Sequence, residues 1–333
     1  MTRRRALRAL LAAPLIAGGC AAPQSAALKR AASGAARPGQ APTADELPLA
    51  RQARLAGVPF FAQRDYECGP AALAMAMSHA GVPVAPETLV PEVWIPARRG
   101  ALQAEMLAAP RRRGLLATRL RNGLDAPLDA VAGGVPAIVF QNLGLSIAPV
   151  WHYAVLIGYD LAAETVLLHT GVDEAVPQSL HVFERTWVRG GSWAMAVTPA
   201  QRLPAGTDED ALLRAAAALE RVAPAAAAQT WEALFERFPD NRVVLLGRGN
   251  AAWALGERAR ARAVWQYAVE RHPDFADAWN NLAHALSEAG DTVAAREAAK
   301  RAVALGGVRA DAYRQTFERV VVPSRGSPKL PMP

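Results

Sequence analysis

Gln63-Arg64-Asp65-Tyr66-Glu67-Cys68-Gly69-Pro70-Ala71-Ala72-Leu73-Ala74-Met75-Ala76-Met77-Ser78-His79-Ala80-Gly81 decides how this 333-residue chain is read. Pro70 suits the first turn of a helix, the Ala, Leu and Met residues after it sustain one, and Gly81 suits its C-terminal stop. Cys68 therefore stands at a helix N-terminus. Unpaired backbone N–H groups and the positive end of the helix dipole there favour thiolate over thiol, which lowers the pKa and activates a nucleophile. A free cysteine also occurs as a small buried hydrophobe, but the residues flanking Cys68 argue for the reactive role.

A nucleophilic thiol needs a proton donor for the leaving group and a site that stabilises a tetrahedral oxyanion. His152 lies in Trp151-His152-Tyr153-Ala154-Val155-Leu156-Ile157-Gly158-Tyr159-Asp160, whose β-branched and aromatic content predicts a strand; Thr165-Val166-Leu167-Leu168-His169 predicts a second after a turn around Asp160 to Glu164. Gln63, just before the nucleophile, carries a side-chain amide that can point at the oxyanion together with the backbone N–H of Cys68.

The only other cysteine is Cys20, and it closes a different kind of segment. Arg3, Arg4, Arg5 and Arg8 precede an apolar run from Ala9 to Ala17 and then Gly18-Gly19-Cys20, the pattern of a signal peptide over residues 1–20. The run is too short for a mature membrane-spanning helix, which takes about 20 residues. Small residues before a cysteine resemble a bacterial lipoprotein lipobox, with Ala17 where leucine is commonest, and the resemblance implies acylation of Cys20. The arginines also resemble, weakly, a twin-arginine export signal. Loss of the leader removes four arginines and no acid, so the net charge falls from +7 to +3, which gives no basic stripe for nucleic acid. Arg111-Arg112-Arg113 reads as the solvated end of a helix. With Cys20 modified, Cys68 has no disulfide partner in an oxidising compartment.

Composition divides the rest. Residues 21–54 are rich in Ala, Pro, Gly, Ser and Gln and read as a flexible tether; residues 55–200 mix helical and extended patterns and suffice for one domain; the chain then turns Ala-rich and helical. Gln63, Cys68-Gly69-Pro70 with the following helix, and the strand opening at His152 resemble the bacteriocin-processing, double-glycine peptidase family of the papain-like superfamily. Arg99-Gly100-Ala101-Leu102-Gln103 and the helix after it resemble that family's second helical region. The resemblance implies an α+β papain-like cysteine peptidase domain with Cys68 as nucleophile, His152 as general acid/base and Gln63 as oxyanion donor. It also implies an aspartate at the end of the strand after the histidine, where this chain has His169-Thr170-Gly171; His169 and Asp173 are candidate replacements for orienting the imidazole, and Asp160 belongs to the turn. The exporter and nucleotide-binding domains attached to many relatives have no counterpart here.

Residues 208–310 contain an internal repeat. Pro239, Pro273 and Gly307 are spaced by 34 residues, as are Trp231 and Trp265, and Ala227, Ala261 and Ala295. That is the tetratricopeptide period. The copy with Trp279, Leu282, Ala283, Ala295 and Ala302 at packing positions is the clearest, and the first, from about Asp208, is degenerate. The expectation is an all-α solenoid followed by a tail over 311–333, with Asn250, Asn280, Asn281 and His284 on the groove side as contacts for a protein partner or as ordinary surface polarity. No Cys/His/Asp cluster has metal-ligand spacing and no phosphate loop is present, so no cofactor is expected. Taken together, the sequence predicts an exported protein, lipid-anchored in a bacterial envelope and facing the periplasm, that hydrolyses a peptide or amide bond by a Cys-His thiol mechanism. The alternative is a noncatalytic protein-binding module with a degenerate peptidase site. Ala21 after the lipobox favours outer-membrane sorting.

Overall fold

The computed structural model describes residues 24–32, 49–63, 67–98 and 100–321. Cys20 and the segment Arg64 to Tyr66 lie outside them. The first elements are α1 (Gln24–Ala32), β1 (Gln52–Arg54), α2 (Cys68–His79), α3 (Pro86–Val93), β2 (Trp94–Ile95), β3 (Gly100–Ala101) and α4 (Gln103–Arg111). They continue with β4 (Leu115–Arg119), α5 (Asp125–Ala132), β5 (Ala137–Asn142), β6 (Trp151–Asp160), β7 (Thr165–Thr170), β8 (Asp173–Ser179), α6 (Leu180–Arg189) and β9 (Ala194–Pro199). The sheet is antiparallel with order β4-β9-β5-β6-β7-β8, and β1 adds to β6.

β6 organises this domain. Its first half, Trp151 to Leu156, pairs with β5, while pairing with β7 begins only at Val155 opposite His169. Strand alternation sends Tyr153, Val155 and Ile157 to one core and Ala154 and Leu156 to the other, and a register shift between Leu156 and Gly158 turns Tyr159 to the second face. α2, α3 and α4 cover the first face, and α5 and α6 the second. From Gly69 to Met77 every residue of α2 is buried, as expected for a helix that is apolar all round. Arg112 and Arg113 are not simply solvated: both pair with Glu92, and their charge and hydrogen bonds pull its carboxyl down to about 2.

Two features before the peptidase-like domain differ from the sequence reading. Residues 24–32 of the expected tether form a helix, because Gln, Ala, Leu, Lys and Arg are good helix formers and Leu28 has an apolar surface to cover. β1 likewise precedes the expected domain start and is held by its ladder to β6.

Beyond β9 the chain is helical: α7 (Glu209–Glu220), α8 (Pro224–Arg237), α9 (Arg242–Ala254), α10 (Arg258–Arg271), α11 (Ala276–Glu288), α12 (Thr292–Leu305) and α13 (Ala310–Val321). α9, α11 and α13 start at residues 242, 276 and 310, and α8, α10 and α12 at 224, 258 and 292, so the 34-residue period becomes helix spacing. Small residues let the helices close up. A Cβ on Gly247 would lie 2.4 Å from the Trp231 ring, and one on Gly249 2.2 Å from Trp265 Nε1. The expected tail from 311 begins instead as α13, whose Tyr313, Thr316 and Val320 are buried; this helix closes the array. The repeats pack directly on the sheet domain: α7 lies along β4, and Thr230 Oγ1 donates to the Ala200 carbonyl at 2.8 Å.

Candidate active site

The site forms where β6 outruns its neighbour. Tyr153 lies before the first β6–β7 pair, so its backbone polar groups on that side need other partners. Gln63 takes one, donating from Nε2 to the Tyr153 carbonyl at 3.3 Å. Its Oε1 accepts the Gly171 N–H at 3.1 Å, and its own backbone N–H donates to the Gly171 carbonyl at 2.9 Å. Gln63 is thereby fixed with one amide hydrogen committed and the second available. The Tyr153 N–H faces the Cys68 sulfur, as do the N–H groups of Gly69 and of Cys68 itself.

Cys68 is placed by close approach of α2 to its surroundings. A Cβ on Gly69 would sit 2.5 Å from Ala101 Cβ and 3.3 Å from Met106 Sδ, so only glycine lets the helix N-terminus come this near β3 and α4. Pro70 follows inside the first turn, where its missing N–H costs nothing. The electrostatics differ from the sequence expectation. Burial pushes the Cys68 thiol above 9.0, outweighing the three N–H groups that favour the thiolate.

His152 sits one strand step before Tyr153 and opposite Gln141. Its Nε2 lies 2.7 Å from the hydroxyl of Thr170, the last residue of β7. Burial lowers the imidazole below 6.5. Burial thus disfavours the charged form of both groups.

Thr170 was missed in the sequence because only acids and histidine were weighed for its role; its position at the strand end was the available signal. His169 is not the orienting group. It is 1 % exposed, with Nε2 on the Val58 carbonyl at 3.3 Å and Nδ1 accepting the Ala175 N–H at 3.1 Å, so both ring nitrogens are occupied elsewhere. Asp173 is exposed and sits opposite Thr170 in the β7–β8 ladder, and the imidazole contact belongs to the threonine. Asp160 Oδ1 accepts the N–H groups of Ala162 and Ala163, which fixes the turn as expected.

In the repeats, Asn281 Nδ2 donates to Asn250 Oδ1 at 2.9 Å, tying α11 to α9, and His284 Nε2 lies 3.0 Å from Thr316 Oγ1, tying α11 to α13. Asn280 is buried, and burial pushes His284 down to about 4. Asn280 and His284 are therefore packed between helices and not laid out as surface contacts. Among the described residues, no group of three His, Cys, Asp or Glu side chains could hold a metal ion, and no helix is long and apolar enough to cross a membrane.

A sheet domain that seats a thiol at a buried helix N-terminus, against a strand that carries a histidine, is cysteine-peptidase-like in class, and the paired helices after it form a tetratricopeptide-type array. Residues 55–195 match the Peptidase_C39 like family and residues 246–314 the Tetratricopeptide repeat family. A C39-like peptidase from Bacillus anthracis is 21% identical, covering 44% of this chain and 97% of its own, at a TM-score of 0.37. The TPR2B domain of yeast Sti1, in a complex with pHsp70, is 18% identical, covering 33% and 96%, at 0.31. The Sgt2 TPR domain from Aspergillus fumigatus is 22% identical, covering 37% and 86%, at 0.31. Comparison with curated proteins gave no match.

Proposed function

We propose that this chain is an exported cysteine peptidase, anchored by a lipid on Cys20, that cleaves a peptide or amide bond and uses its repeats to hold a protein partner or substrate. The observation that carries the catalytic reading is the convergence of Gln63 and Cys68 on the backbone of Tyr153, next to a His152 held by Thr170. With Nε2 at the Thr170 hydroxyl, Nδ1 is the ring nitrogen left for the thiol.

In this mechanism His152 removes the thiol proton as Sγ attacks the carbonyl carbon. The oxyanion is met by the second amide hydrogen of Gln63 and the backbone N–H of Cys68. The imidazolium then protonates the leaving amine, the C–N bond breaks and a thioester remains. Water, deprotonated by His152, attacks the thioester and releases the acid, and the proton returns to the thiolate. Because burial disfavours both charged forms, it favours proton transfer that accompanies attack over a preformed thiolate–imidazolium pair.

The thiol pushed up by burial, and a hydroxyl where a carboxylate would stabilise the cation, also favour a second reading, a noncatalytic module that grips a peptide. Mass spectrometry of a peptide mixture separates the two. The peptidase yields new termini and a thioester mass on Cys68, both lost in Cys68→Ala; cleavage that persists in Cys68→Ala refutes it. Tight peptide binding with neither product nor acyl-enzyme establishes the module.

A further inference from the structure

α1 takes no part in the proposed catalysis, yet it is fastened at both ends. Glu184 on α6, 5 % exposed, accepts the backbone N–H groups of Gln24 at 2.5 Å and Ser25 at 3.1 Å as well as the Ser25 hydroxyl. A carboxylate buried this deeply needs such donors, and a helix N-terminus supplies them. Gln24 Oε1 in turn accepts the Leu124 N–H at 2.7 Å, at the start of α5. Leu28 packs on the apolar core beneath, and Lys29 pairs with Glu164 at the far end. Nine residues do not sustain a helix in water by themselves, so these contacts fix where the chain leaves the domain.

Cys20 is four residues before Gln24, a reach of at most about 14 Å. A lipid on Cys20 must therefore enter the bilayer close to Glu184. The outward side of α6 there carries Val182 and Val188, 48% and 47% exposed, with the exposed Arg185 between them. An apolar and cationic stripe suits an anionic headgroup surface. α2 and Cys68 lie on the opposite face of the sheet.

Resting on the acylation of Cys20 proposed above, we infer that the α1–α6 face docks on an anionic bilayer and holds the sheet between the membrane and the thiol. The thiol meets the backbone of β6, so one layer of packing at about 10 Å and the radius of α6, about 5 Å, set it about 15 Å from the outward side of α6. That exceeds the headgroup zone of about 5–8 Å per leaflet. The substrate is then one that presents its scissile bond from the aqueous side, a diffusing peptide or a segment extended well clear of the lipid, and not a bond at the bilayer surface.

The test uses the full chain expressed in a bacterium, in a Cys68→Ala background, reconstituted in vesicles of phosphatidylethanolamine and phosphatidylglycerol. One dye is placed at His181→Cys on α6 or at Thr88→Cys on α3, and energy transfer to a headgroup-labelled lipid is read. Transfer is expected to be several-fold stronger from position 181 than from 88. Both Arg185→Glu, which leaves the fold's interior untouched, and Glu184→Ala, which frees α1, should bring the two positions together. Equal transfer from both positions in the acylated protein overturns the docking face alone. An unmodified Cys20 by mass spectrometry overturns the anchor and the face with it, while leaving the thiol chemistry standing.

Discussion

Replacing Thr170 with aspartate restores a carboxylate beside the imidazole and tests whether the hydroxyl is the orienting group. Thr170 Oγ1 is 2.7 Å from His152 Nε2, close enough for a carboxylate there to act directly on the ring. An opposite charge at that range raises an imidazole pKa by roughly 1–3, and the partial exposure of Thr170 argues for the lower end. His152 starts below 6.5 through burial, which favours the uncharged ring. Raising the imidazole pKa by about one makes the thiolate–imidazolium form about tenfold more populated, a stabilisation of about 1.4 kcal/mol. Iodoacetamide should then alkylate Cys68 about tenfold faster at pH 7, and the His152 ring protons should titrate at a pH higher by about one in NMR spectra. Thr170→Val keeps the branched shape without the hydroxyl and should lower peptide turnover without raising alkylation. If Thr170→Asp changes neither His152 titration nor alkylation, Thr170 does not orient the imidazole and the dyad argument fails.

The pH profile of turnover follows from the same burial. The reaction needs uncharged His152, whose pKa is depressed, so activity should hold down through pH 7 and fall on acidification with an inflection below 6.5; an acid limb above pH 7 would contradict this. Gly69→Ala places a Cβ 2.5 Å from Ala101 Cβ and should displace the α2 N-terminus, cutting turnover by about 100-fold, as for a misplacement of about 1 Å, with the circular dichroism spectrum retained. Gly249→Ala drives a methyl into Trp265 and should destabilise the repeats by about 1–3 kcal/mol in denaturant unfolding while Cys68 alkylation is unchanged. Asp129 is raised to about 6 by burial and by Asp125, so its contribution to stability is fully present below pH 4 and lost as pH rises through 6. Asp129→Asn should therefore stabilise the fold at pH 7 by about 1 kcal/mol after solvent screening, read as a higher melting temperature, and change it little at pH 4.

The helix beginning at Cys68, the strand carrying His152 and the period of the repeats were legible because each rests on local pattern: proline then small apolar residues, β-branched alternation, and tryptophans and alanines 34 apart. α1 was not legible, since nine residues rich in alanine look like linker until Glu184, 160 positions away from Gln24, is seen to cap them. The pKa of Cys68 is shifted against the sequence expectation for a related reason. The helix N-terminus is visible in sequence, but the burial that outweighs it is set by tertiary contacts. Thr170 illustrates the same limit, because its hydroxyl gains a role only when the end of β7 comes beside β6, within reach of His152.

The direct packing of α7 on β4, with Thr230 bonded to Ala200, joins the repeats to the peptidase-like domain without a swinging linker. Any polypeptide gripped by the repeats is consequently measured as if against a ruler. Only a chain whose length between its gripped segment and its susceptible bond matches this fixed span can satisfy both ends at once, and one shorter gains nothing from the second contact.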